Sequence, residues 1–367
     1  MKRLLKYFSI VAVVFLPLSA CTETPVLLLG QEKMEAGEEQ TIKDISQLLA
    51  GHLKEQYEHE MFLRDTHPKS NGCLHADFVV NANLNKKYQQ GIFRPNASYP
   101  VWMRFSNSVE ELTDDHEDDF RGLGMKLSGV TGERVAFPGD EQSTQDFLFL
   151  GHDAFFAANP EQFFDFFDAT FSGRSFWFLL THPKGFFNIM QGSKAYANPL
   201  NVNWNSVTAY GLGERVNGAF KTTVRYALQT CAENEGDVPK PLTADYLEEN
   251  MQAQLSKGTA CLNFFIQEQI DPVKMPVENA LVAWDQSISP LIKLAQIRIP
   301  KQNFTSDEQK VFCENISFNP GHSLTAHEPI GGINRARKVV MKDISDLRLM
   351  QNGVARFEPT GRERFEP

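Results

Sequence analysis

Few side chains in this sequence carry chemistry by type and spacing. Nine histidines are scattered along 367 residues. His67 with His75 makes only a weak metal-ligand pair, and a lone histidine is ordinarily a surface or hydrogen-bonded core residue. No G-x-S-x-G, P-loop or H-E-x-x-H motif is present, so the common routes to nucleophilic, phosphate and zinc chemistry are poorly supported. One segment is more informative. Asn334–Gln351 reads as a helix closed by Asn352-Gly353, and it carries Arg337, Met341, Ile344 and Arg348 at spacings of 4, 3 and 4. At about 100° per residue these share one face. Two guanidiniums would then flank a thioether and a branched apolar side chain. That suits a flat apolar ligand with anionic groups, because arginine forks onto carboxylates. The alternative is a helix whose arginines snorkel to surface acids. The spacing alone favours the alternative.

The cysteines and the N-terminus set the compartment. Lys2, Arg3 and Lys6 precede a short apolar run, Ile10 to Pro17, and then Leu18-Ser19-Ala20-Cys21. This reads as a secretory signal over 1–20. The small residues before Cys21 resemble the lipobox of bacterial lipoproteins, which implies lipidation of Cys21 and a membrane-anchored protein on the periplasmic side. Thr22 in the next position resembles the sorting pattern for the outer membrane in Gram-negative cells. Export permits disulfides, and Cys73, Cys231, Cys261 and Cys313 allow three pairings. None forms C-x-x-C, and buried free thiols are the expected state.

The elements that must position these residues follow from patterning. Residues 21–33 read as a tether, 34–355 as a single domain and 356–367 as a tail. A helix is expected over 34–60. Strand-like runs follow at Ala76–Ala82, Val101–Ser106, Gly122–Leu127, Asp146–Leu150, Thr222–Thr230, Leu262–Gln269 and Leu291–Ile299. Asn159-Pro160 starts a further helix, and Thr243–Ser256 and Ser306–Ile316 are others. The set predicts an α+β fold with a largely antiparallel sheet or closed barrel. Asp114 to Asp119 is a charge run better read as a solvated loop than as a calcium site. Phe occurs 29 times, and 13 of these lie between Phe147 and Phe187, enough to line a core or a pocket for a flat ligand. The formal charge of −10 argues against a nucleic-acid partner.

Several segments, taken in order, resemble the catalase family, and most nearly the short catalase-like haem proteins of bacteria. Arg64-Asp65-Thr66-His67 resembles R-x-x-H; Val101-Trp102-Met103-Arg104-Phe105-Ser106 resembles V-x-x-R-F-S; Asp119-Phe120-Arg121-Gly122 resembles D-x-R-G. Thr144-Gln145-Asp146-Phe147-Leu148, Phe155-Phe156, Phe318-Asn319-Pro320 and Gly331–Arg337 resemble further blocks of the short forms. The likeness runs from about residue 62 to 351 and is looser in the middle.

The resemblance implies an antiparallel barrel of about eight strands with surrounding helices, a b-type haem with its iron, and peroxide as substrate. His67 matches the distal acid–base histidine and Ser106 its hydrogen-bonding serine. Arg64, Arg104 and Arg348 match the arginines that hold the haem propionates, Phe155 and Phe163 the phenylalanines packed on the ring, and Arg337 the arginine one turn before the proximal ligand. This implication reverses the snorkelling reading of the last helix. Two departures stand out. The iron-binding tyrosine position is Met341, and no tyrosine follows Tyr246. The distal asparagine falls near Leu150-Gly151. A neutral thioether favours reduced iron and gives less electron density than a phenolate. The expectation is therefore weak or peroxidase-like action on hydrogen peroxide or an organic hydroperoxide. The alternatives are a non-enzymatic haem-binding lipoprotein and a cofactor-free scaffold. A homo-oligomer is compatible with all three.

Overall fold

The computed structural model describes residues 27–365 apart from 59, 118, 136–142, 232–237, 239 and 241. The signal segment, Cys21 and Asp118 lie outside the described residues. Twelve strands are formed in these: β1 (Ser70–Val80), β2 (Ser98–Asn107), β3 (Arg121–Ser128), β4 (Thr144–Leu150), β5 (Trp204–Asn205), β6 (Ala209–Gly211), β7 (Arg215–Val216), β8 (Ala219–Phe220), β9 (Thr223–Thr230), β10 (Ala260–Glu268), β11 (Ile292–Ile299) and β12 (Pro329–Ile330). Seven α-helices accompany them: α1 (Glu38–Gln56), α2 (Pro160–Phe171), α3 (Ser175–Thr181), α4 (Pro183–Gly192), α5 (Tyr246–Leu255), α6 (Asp307–Asn315) and α7 (Gly332–Gln351).

The sheet runs β11-β1-β2-β3-β4-β5-β9-β10, and β10 pairs back onto β11. Eight antiparallel strands thus close into a barrel, with β6 and β12 continuing from β9 on one side. Successive side chains on a strand point to opposite faces. On one face Leu74, Ala76, Phe78, Val101, Met103, Phe105, Leu123, Met125, Phe147 and Phe149 fill the barrel core. The opposite face carries Cys73, Arg104, Ser106, Gly122, Gly124 and Leu148. Registers align them in rows: Cys73, Arg104, Gly124 and Leu148 lie across four neighbouring strands, and Ser106 pairs Gly122, which pairs Leu150. That outer face is covered by α6, the segment after it and α7, so these strands are buried on both sides.

Helix boundaries follow local chemistry. Asn159 accepts the Gln162 N–H at 3.0 Å and Pro160 opens α2, as the capping rule requires. The helix expected over 34–60 spans Glu38–Gln56 and buries Ile42, Ile45, Leu49 and Leu53. It lies against α2 and α7.

Two expectations are corrected. The four cysteines after Cys21 are not free thiols: Cys73 pairs with Cys313 and Cys231 with Cys261. The barrel brings each pair together: Cys73 sits on the outer face of β1 beneath α6, and Cys231 follows β9, which pairs with β10, where Cys261 sits. The acidic run is not simply a solvated loop. Asp115 is buried and accepts from Asn71, Asn107 and the Leu247 N–H. Asp119 is also buried and accepts from the N–H groups of Ser108 and Val109.

Candidate functional site

The site forms on the outer face of β2 and β3, between the barrel and α7. His67 is half-buried and adopts a left-handed backbone with φ +65°. Such strain in a non-glycine residue costs of order 1–3 kcal/mol and persists where the surroundings fix it. They do so here. The Arg104 Nη1 donates to the His67 carbonyl at 3.0 Å, and His67 Nδ1 lies 2.8 Å from the Asn107 carbonyl and 3.1 Å from Ser106 Oγ. A carbonyl can only accept, so Nδ1 carries the proton. Nε2 is left with a free lone pair. A Cβ at Gly122 would stand within 2.5 Å of His67 Nδ1, so the final glycine of D-x-R-G is the space the imidazole occupies. Burial, then the Arg104 charge, push the His67 pKa down to about 4. The ring is therefore neutral at neutral pH.

The expected arginines converge. Arg64 Nη2 donates to the carbonyls of Cys313, Glu314 and Ile316 at 3.2, 3.0 and 2.5 Å. Arg104 Nη2 donates to the Pro68 carbonyl at 3.1 Å. Arg348 Nη1 donates to the Glu314 carbonyl at 2.8 Å. All three guanidiniums meet on one carboxylate, Glu314, at 3.7 Å for Arg64, 3.4 Å for Arg104 and 3.3 Å for Arg348. Burial and the charge of Arg64 lower both Arg104 and Arg348 to about 9. Three cations against one anion leave a surplus of two positive charges, and Arg64 Nε, Arg104 Nε and Arg348 Nη2 are buried without hydrogen-bond partners. Arg337 adds a fourth cation. Its Nη1 is also buried and unpartnered, burial lowers its pKa, and its field reaches His67.

The remaining site residues divide between two clusters. Met341 packs against the cluster of Cys73, Trp102, Leu148, Cys313, Ile316 and Phe318. Phe155 and Phe163, with ring centroids 5.6 Å apart, belong to a second cluster that includes Leu150, Val207, Ala336 and Val340. Gly151, beside the expected asparagine position, offers no side chain; Val202 and the Tyr196 hydroxyl stand against it.

Some functional geometry had no sequence signal. Glu314 is one acid within an ordinary helix. Phe318 packs where a Cβ at Gly124 would come within 2.9 Å, and Arg64 lies 5.9 Å from its ring centroid. The spacing of F-N-P could have drawn attention to Phe318. The Asp146 of T-Q-D-F-L serves structure instead: it binds Lys126 at 2.8 Å, His322 at 3.0 Å and the Asn319 N–H at 2.9 Å, all buried.

Neither family models nor curated proteins match this chain. Solved structures do. A fungal catalase matches with a TM-score of 0.61 at 18% identity, over 82% of this chain and 62% of its own. A bacterial catalase gives 0.64 at 16% identity, over 95% and 67%. Catalase A from Saccharomyces cerevisiae gives 0.62 at 18% identity, over 86% and 69%. The chain thus has a catalase-like α+β fold and spans about two thirds of the length of these catalases.

Proposed function

We propose that this chain is an exported, lipid-anchored haem protein of the catalase-like fold that acts weakly, in peroxidase fashion, on hydrogen peroxide or an organic hydroperoxide. The observation that carries the reading is the surplus of buried guanidinium donors beneath a neutral imidazole. Unpaired buried donors of this kind are costly, and two carboxylates of one ligand would relieve them. The donor set therefore fits a dicarboxylate porphyrin, held by Arg64, Arg104 and Arg348, with Phe318 and Met341 close to the same wall. Haem, when bound, would supply the redox-active iron that peroxide chemistry needs. His67 Nε2 would accept the proton of a hydroperoxide, while Nδ1–H stays on the Asn107 carbonyl and leaves the Nε2 lone pair free. Met341 on α7 would be the side chain that holds the iron, and Arg337, one turn earlier, would place a positive charge beside it.

A second reading has its own support. Met341 supplies no anionic ligand and Gly151 supplies no amide. These features favour binding over turnover, as in a haem-binding lipoprotein without enzymatic activity. Haem titration followed by a peroxide-consumption assay separates the readings. A Soret band with a His67-dependent rate supports the enzyme, a Soret band with a rate unchanged in His67→Ala supports the binder, and no Soret band removes both.

A further inference from the structure

The phenylalanine-rich segment does not end in the core. Beyond α2 it forms α3 and α4, where Phe176, Trp177, Leu180, Phe187 and Met190 are 65, 66, 58, 63 and 61% exposed, with Phe186 also exposed. The two helices are nonetheless firmly seated. Phe178 is buried 5.5 Å from Phe166, and Asn188 donates to the carbonyls of Phe155 at 2.6 Å and Leu281 at 3.2 Å. A fixed hairpin that turns its largest apolar side chains to water marks an interaction surface.

Charge identifies the partner. The chain holds 46 acids and 36 basic residues, yet no acid occurs between Asp168 and Glu214. Lys184 and Lys194 are exposed there, and Arg174 at the edge pairs with Asp168. A stretch of aromatic, leucine and methionine side chains with two lysines and no acid of its own suits the interface of an anionic bilayer. A two-fold self-association through the same face would bring Lys184 and Lys194 toward their own copies. We propose that the α3–α4 hairpin docks on an anionic phospholipid membrane. The reading of Cys21 as lipidated contributes to this choice. An acyl group there would hold Leu27 within about 20 Å of the bilayer, at ~3.4 Å per residue, and a face of the body would then meet the surface.

The molecule carries its own probe. Of four tryptophans, Trp102, Trp204 and Trp284 are buried and Trp177 is exposed. The chain from Thr22 onward keeps every described element and lacks Cys21, so this test and the lipidation reading fail separately. Mixed with phosphatidylglycerol vesicles, it is expected to co-sediment and to shift its tryptophan emission to the blue. Phosphatidylcholine vesicles or high salt should weaken both. Trp177→Phe should abolish the spectral shift but not sedimentation. Phe176→Ser/Phe187→Ser/Met190→Ser should cut partitioning at least tenfold, since each buried apolar side chain is worth about that factor, with an unchanged melting temperature. Absence of both shift and sedimentation in the parent chain would overturn the proposal. So would a concentration-dependent dimer, without lipid, in which Trp177 is already shielded.

Discussion

Glu314 is the most revealing side chain to perturb. It stands 3.3–3.7 Å from three guanidiniums and its side chain is 19% exposed. At an effective dielectric of about 20, each contact near 4 Å is worth about 4 kcal/mol before desolvation. The desolvation of four partly buried groups consumes most of that sum, and removing one partner of a buried pair typically costs about 3–5 kcal/mol. Solvent access to Glu314 puts Glu314→Gln at the lower end, about 2–3 kcal/mol of lost stability. The same change raises the surplus positive charge from two to three. Haem, or any compact dianion, should therefore bind the variant at least tenfold more tightly and restore its stability, since a ligand at 100 times its Kd adds about 2.7 kcal/mol. Urea unfolding with and without ligand, together with a Soret titration, reads both effects. A variant that loses stability but binds haem no better than the parent would refute the idea that Glu314 competes with propionates. Unchanged stability would refute the assigned ion pairs.

Four further outcomes follow from the geometry. The pKa of His67 is about 4 in the fold against about 6.5 unfolded, so the folded state binds fewer protons between those values. Its contribution is fully present above about pH 6.5 and is lost as pH falls toward 4, roughly 3 kcal/mol in all; His67→Asn should flatten that part of the stability–pH profile, and a steep profile in the variant would reassign the titration. Gly122→Ala should displace the imidazole, lowering any peroxide turnover at least tenfold while a Soret titration stays near the parent value. Cys73→Ser/Cys313→Ser should cost about 2–4 kcal/mol in urea unfolding and release α6, and with it Glu314, from the barrel. Met341→Tyr should shift the haem absorption spectrum and raise catalase turnover in oxygen-evolution assays, whereas an identical spectrum would show that Met341 does not hold the iron.

The barrel was legible in the sequence because its strands are long and apolar between turn residues: each of the seven expected runs overlaps an observed strand. The closing strand β5 was not, since Trp204–Asn205 is only two residues long and pairing, not pattern, defines it. Asn159-Pro160 announced α2 through a capping chemistry that is local. Helices α3 and α4 leave a weak signal because they are only 7 and 10 residues long and Gly173, Pro183 and Gly185 punctuate the stretch. At the site, motif order singles out Arg64, Arg104 and Arg348, while Glu314 and the disulfide pairs carry no sequence signal. Glu314 and the Cys73–Cys313 bond depend on α6 folding across β1, a contact that closes 240 residues of chain and leaves no trace in local spacing; Cys231–Cys261 instead joins the residue after β9 to the paired strand β10. Asp115 shows the reverse error: a charge run invites a solvated reading, yet Asn71, Asn107 and the Leu247 N–H supply enough donors to bury it.

The central claim is that the guanidinium cluster beneath His67 receives the carboxylates of a haem. Its most direct test is a Soret titration of the protein with haem, run beside Arg104→Leu and Arg348→Leu variants whose folding is checked by circular dichroism. One haem per chain is expected, with a loss of affinity of at least tenfold in each folded variant. A parent protein that develops no Soret band, or variants that bind as tightly as the parent, would contradict it.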